Sequence, residues 1–287
     1  MVAATEARDT ATTELARQGR TLLPALPALV FLFLAFVLPV WVLFLRSFTE
    51  PATGLGNYQS LVTDSVYLDV LVNTFFVATA VTISTLLLAF PIAWFLVIVP
   101  SRVARMVFAV ILLSMWTNLL VRTYAWLVLL QDTGAINQFL MYLGLTSAPV
   151  PLVNNMVGVI IGMTYIMLPF IVLPIHATMS TLDPALMQAA SIAGAKARTI
   201  FFRILLPLTL PGISAGCIMV FVMSLGYYIT PALLGGVRDM MIAQLVAELI
   251  QKFLNWGLGS AAAFILLFIT LAIYFAYVRL VGLVRPT

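Results

Sequence analysis

Few side chains in this sequence have the chemistry to act on a substrate. Ser214 lies in Gly212-Ile-Ser214-Ala-Gly216, the G-x-S-x-G spacing that can present a nucleophilic serine, and His176 is the sole histidine. Together they raise an intramembrane serine protease as one reading. Two features weigh against it. The pattern falls in an apolar run rather than at a strand-to-helix elbow, and glycines four apart, here and in Gly158-x3-Gly162, also let two membrane helices approach closely. No GxxxxGK[ST] stretch occurs, so nothing here cradles a nucleotide. The lone cysteine, Cys217, gives no disulfide within the chain, and no His, Asp or Glu set has metal-ligand spacing. No cofactor is therefore expected on this chain. Arg122 is the one charge well inside an apolar run, and a buried arginine is costly enough to need a reason, either a gate or pathway role or an anchor to backbone carbonyls.

The elements that must hold these residues follow from composition. Of 287 residues 63% are hydrophobic and 8% charged, with mean hydropathy +1.14, far from the balance of a soluble domain. This is an all-α membrane protein. The net charge of +4 is small, its basic residues lie beside the membrane, and no nucleic-acid partner is expected. Apolar runs at 22–45, 70–99, 104–130, 154–179, 209–234 and 257–283 are each long enough for a hydrocarbon core of about 30 Å, predicting six spans. The first is too long for a signal-peptide core and is read as a retained span; residues 1–20 are read as a polar cytoplasmic tail and 21–287 as one permeation domain. Prolines 39, 91, 169, 174 and 231 predict spans that bend. No carboxylate lies within a span and no internal repeat is visible, which disfavours an ion-coupled secondary transporter.

Basic residues set the orientation. With the N-terminus inside, cytoplasmic segments hold Arg8, Arg17, Arg20, Arg102, Arg105, Lys196, Arg198, Arg203, Arg279 and Arg285, and the outer loops only Arg46, Arg238 and Lys252. Both termini are predicted to be cytoplasmic, as is the loop at about 180–207. That loop opens on Asp183-Pro184, an N-cap followed by a proline at the first helical position, and reaches Gly194, suited to a left-handed helix stop. A short helix of about three turns, a bend and a second short amphipathic piece are expected. Small side chains at 185, 189, 190 and 193 would let a partner approach the backbone closely.

In this loop Gln188-Ala189-Ala190, then Gly194, Ile204 and Leu206-Pro207, resemble the EAA motif of ABC-importer permeases, with Gln188 where glutamate is usual. The resemblance implies a coupling helix that docks in a groove of an ABC ATPase subunit, which would carry ATP and Mg. It also implies a second permease subunit, homologous or identical, a periplasmic substrate-binding protein, and placement in the lipid of a bacterial inner membrane. The departure at Gln188 keeps hydrogen bonding and loses the charge of any ion pair.

Narrower stretches are similar to polyamine-type permeases: Trp116-Thr-Asn-Leu-Leu-Val-Arg122-Thr-Tyr124-Ala-Trp126, Tyr228-Ile-Thr-Pro231-Ala-Leu-Leu-Gly-Gly236, Asn255-Trp256 and Gly259-Ser260-Ala261. They point to import of spermidine, putrescine or another small amino compound such as an amino acid derivative, an opine or an aminoalkylphosphonate. Trp116, Arg122, Tyr124, Tyr227, Tyr228 and Pro231 are the candidate pathway or gate residues. Aromatic rings there suit an ammonium group by cation–π attraction, although aromatics also gather at bilayer interfaces.

Overall fold

The computed structural model describes residues 26–284; the tail at 1–20 and Arg285 lie outside the described residues. Five helices are long and apolar enough to cross a membrane: α1 (Leu26–Thr49), α3 (Ser65–Ile98), α7 (Met156–Ser180), α9 (Ala197–Leu225) and α12 (Trp256–Val284). Among the described residues, α4 (Ser101–Trp116) and the segment Leu119–Tyr142, which opens with α5 (Leu119–Leu130), differ in direction by 102°; counted as one broken span they bring the number to six. Shorter helices fill the connections: α2 (Gly56–Thr63), α6 (Ala135–Tyr142), α8 (Pro184–Ile192), α10 (Ile229–Leu234) and α11 (Ile242–Gln251).

The third span predicted at 104–130 is thus not one helix. Thr117 and Asn118 are extended, and the Asn118 side chain accepts the Leu120 N–H at 2.8 Å, starting α5 anew. Thr117 Oγ1 donates to the Ser114 carbonyl at 2.6 Å, so hydroxyl groups satisfy part of the freed backbone, as an apolar surround demands. The run at 209–234 is corrected too. Its helix ends at Leu225, with Gly226 as C-cap, and α10 follows as a separate element. At its other end the expected second amphipathic piece has merged with α9, which starts at Ala197. Pro169 and Pro174 lie inside α7, which stays helical throughout.

Two π-helical turns, Phe33–Val37 and Phe201–Leu205, each end one residue before a leucine-proline pair, Leu38-Pro39 and Leu206-Pro207. A proline ring crowds the carbonyl four residues back. The turn widens, and the Leu206 N–H reaches the Phe201 carbonyl instead.

α7 is the central helix. Its 25 residues, about 37 Å long, pack on α3 and α9 with Val159, Met163, Met167, Ile171 and Ile175 fully buried. Glycines fix the closest approaches. A Cβ on Gly212 would meet Thr178 Oγ1 and sit 2.6 Å from the Pro174 carbonyl; on Gly216 it would lie 3.1 Å from Ile171 Cα. A Cβ on Gly162 would fall 2.5 Å from Leu234 Cδ1 of α10. α1 is the outermost helix, held to α12 by Phe44 and Phe264, ring centroids 5.1 Å apart. At the far end from α8, polar side chains tie short elements down. Ile242 N–H donates to Thr74 Oγ1 at 2.9 Å, and Asn73 Nδ2 donates to the Arg238 carbonyl at 2.7 Å.

Candidate functional site

α8 stands at the end of the bundle where α7 runs out. Asp183 Oδ1 accepts the Ala185 N–H at 2.9 Å, and Pro184 opens a helix of nine residues. The stop is a Schellman turn: Gly194 N–H reaches the Ser191 carbonyl and Ala195 N–H the Ala190 carbonyl, both at 3.0 Å. This needs Gly194 at φ +80°, a left-handed conformation that costs other residues about 1–2 kcal/mol. No residue of α8 is buried, and Ile192 is 89% exposed. Gln188 and Ala189 face outward with nothing over them, while Ala190 is partly covered. Ile204, Leu206 and Pro207 lie at the foot of α9, around the widened turn, with Leu205 between them buried in the bundle. α8 is therefore a helix capped at both ends with an open face, joined at each end to a long span.

At the opposite end the candidate pathway residues divide. Arg122 and Thr123 of α5 face α10, where Thr123 Oγ1 lies 3.3 Å from Thr230 Oγ1 and both threonines are buried. Tyr227 joins them: burial pushes its phenol up from its ordinary value, opposed by a Thr230 contact and by the Arg122 charge. Pro231 is buried in the same helix. Arg122 Nε is buried without a hydrogen-bond acceptor among the described residues. Trp116, 89% exposed at the end of α4, and the exposed Tyr124 point away from this group. Tyr228 turns instead toward α11 and lines a different cavity. The two threonines were not anticipated. Their signal was a hydroxyl beside each singled-out residue, Arg122-Thr123 and Thr230-Pro231, in otherwise apolar runs.

Ser214 and His176 do not form a catalytic pair. Ser214 Oγ donates to the Pro211 carbonyl at 3.1 Å and is approached by the Tyr277 hydroxyl at 3.4 Å, on the α12 side. His176 packs against Phe108 of α4, ring centroids 5.7 Å apart. The glycines around Ser214 are filled by α7, the packing use of the pattern. No group of three metal-ligating side chains occurs among the described residues.

No family profile matches the chain. It is 33% identical over 260 residues to the spermidine/putrescine transport system permease protein PotB of Salmonella typhimurium, covering 88% of this chain and 90% of that protein. It is 35% identical over 245 residues to the inner membrane ABC transporter permease protein YdcU of Escherichia coli, covering 81% and 77%. A bacterial alginate ABC transporter, solved in complex with its alginate pentasaccharide-bound periplasmic protein, contains a chain of the same fold, with TM-score 0.74 and 17% identity over 93% of this chain and 95% of that one.

Proposed function

The chain belongs to the permeases of bacterial ABC importers, and from that membership we propose that it carries spermidine, putrescine or a closely similar polyamine across the inner membrane. Permeases of this family have no ATPase of their own, and ATP is hydrolysed on partner subunits. They are multi-pass proteins of the inner membrane, working with an ATPase and a periplasmic binding protein. The finer assignments are our reading: both termini and α8 on the cytoplasmic side, a homologous second permease beside this one, and two ATPase subunits with ATP and Mg below.

One observation carries the mechanism: α8 is capped at both ends, open on its outer face, and continuous through Gly194 with the foot of α9. An ATPase groove that closes on ATP would move this helix. Because α7 and α9 are locked by the Gly212 and Gly216 contacts, they would follow as one body. The movement reaches α10 through Gly162 and Leu234, at the Arg122, Tyr227 and Thr230 cluster. The energy of the change comes from tighter ATP binding to the outward-open arrangement than to the inward-open one.

The test is reconstitution with the sister permease, the ATPase and the binding protein, followed by ATP-driven uptake of labelled putrescine and spermidine against amino acids and phosphonates. Uptake confined to polyamines is expected. Transport of another class with none of polyamine would overturn the substrate, and failure of cross-links from Ala189→Cys to reach the ATPase would overturn the coupling role.

A further inference from the structure

On the side of α10 away from Arg122, a cavity of about 200 Å3 opens between α10 and α11. Gln244, Ala247, Glu248 and Gln251 line it from one face of α11, at helical spacing three and four, while Ile242, Leu245 and Leu249 on the other face are buried. Tyr228 closes it from α10, with part of its side chain exposed.

The lining is chemically one-sided. Glu248 supplies a carboxylate whose side chain is 25% exposed, and Gln244 Oε1 is buried without a donor among the described residues. Tyr228 adds an aromatic ring, the partner of an organic cation. One cation is already there. Lys252 Nζ donates to Glu248 Oε1 at 2.9 Å, although the lysine side chain is 68% exposed. An exposed pair one turn apart on a helix is weak, so this ammonium is readily displaced. Lys252 is itself a primary alkylammonium, and its bond to Glu248 marks where another would sit.

We infer that this cavity is a docking subsite for a primary alkylammonium group, in which the ligand's ammonium replaces Lys252 on Glu248 with Tyr228 alongside. The exchange is of one cation for another: Lys252 swings to solvent, the carboxylate stays paired, and no proton need move. The site rests on the polyamine reading above and extends it by naming where one end of the amine first engages this chain.

The test uses the assembled importer in proteoliposomes, with Cys217→Ser and a reporter thiol at Ala247→Cys, or at Gln251→Cys should the first fail to assemble. Thiol modification is timed with a cationic and a neutral methanethiosulfonate, with and without putrescine. A preference of about tenfold for the cationic reagent is expected, the size of one charge-assisted hydrogen bond. Putrescine and butylamine should protect the thiol and acetate should not. Glu248→Gln should abolish both preference and protection. Lys252→Met should lower the putrescine concentration giving half-protection by about two- to threefold, because a weak internal competitor is gone. Equal rates for the two reagents, or protection unmoved by both variants, would overturn the site. Cation preference in an importer that moves no polyamine would overturn the substrate reading alone; polyamine uptake without that preference would overturn the site alone.

Discussion

Gly194 has no atom near the place where a side chain would go, so its requirement is conformational and not steric. Gly194→Val, β-branched at φ +80°, should unwind the Schellman turn at a cost of about 1–2 kcal/mol while membrane insertion is unchanged. If that cost falls on the coupled state, uptake drops by about tenfold and ATPase activity no longer responds to loaded binding protein. Measured side by side, Gly194→Ala should be milder. Arg122 makes the opposite demand. Its Nε is buried without an acceptor among the described residues, beside Tyr227. Arg122→Ala and Arg122→Lys are both expected to slow uptake, the lysine because it lacks the planar fork. Wild-type rates in both would remove Arg122 from the pathway. Ser214→Ala should change uptake not at all, since its hydroxyl bonds only the Pro211 carbonyl and the Tyr277 hydroxyl.

Among the helices, α9 packs closely on α7 through Gly212 and Gly216. A side chain at Gly212 meets Thr178 and the Pro174 carbonyl, where backbone has no room to give. Gly212→Leu should therefore separate the two helices at an overpacking cost of about 1–3 kcal/mol, read as a lower melting temperature of the detergent-purified complex. Gly226→Ala, with nothing within 4 Å and no positive φ, serves as the matched neutral change. The widened turns before Pro39 and Pro207 follow from proline geometry and could have been anticipated from those prolines. The break at Thr117 and Asn118 had a signal as well, an asparagine cap within a long apolar run, but average hydropathy over the run hides a two-residue interruption.

For the molecule as a whole, α8 and the segment after α10 lie at opposite ends of the bundle, and Ile192 and Val237 are 89% and 91% exposed. Cysteines placed there in a Cys217→Ser background should react with an impermeant reagent from opposite sides, Ile192→Cys from the cytoplasm and Val237→Cys from outside. Labelling of both from one side would overturn the topology that the proposed ATPase docking requires.

Five of the six predicted spans, the limits of α8 and its two caps, and the tight glycine pairs were legible in the chain itself. Each depends on the lipid's demand for apolar length or on residues within four positions of one another. The meeting of Arg122 with Tyr227 and Thr230, and the cavity between α10 and α11, were not legible. The first joins segments 107 residues apart and the second needs α10 folded back onto α11, and no local propensity records which side chains will face one another across such contacts.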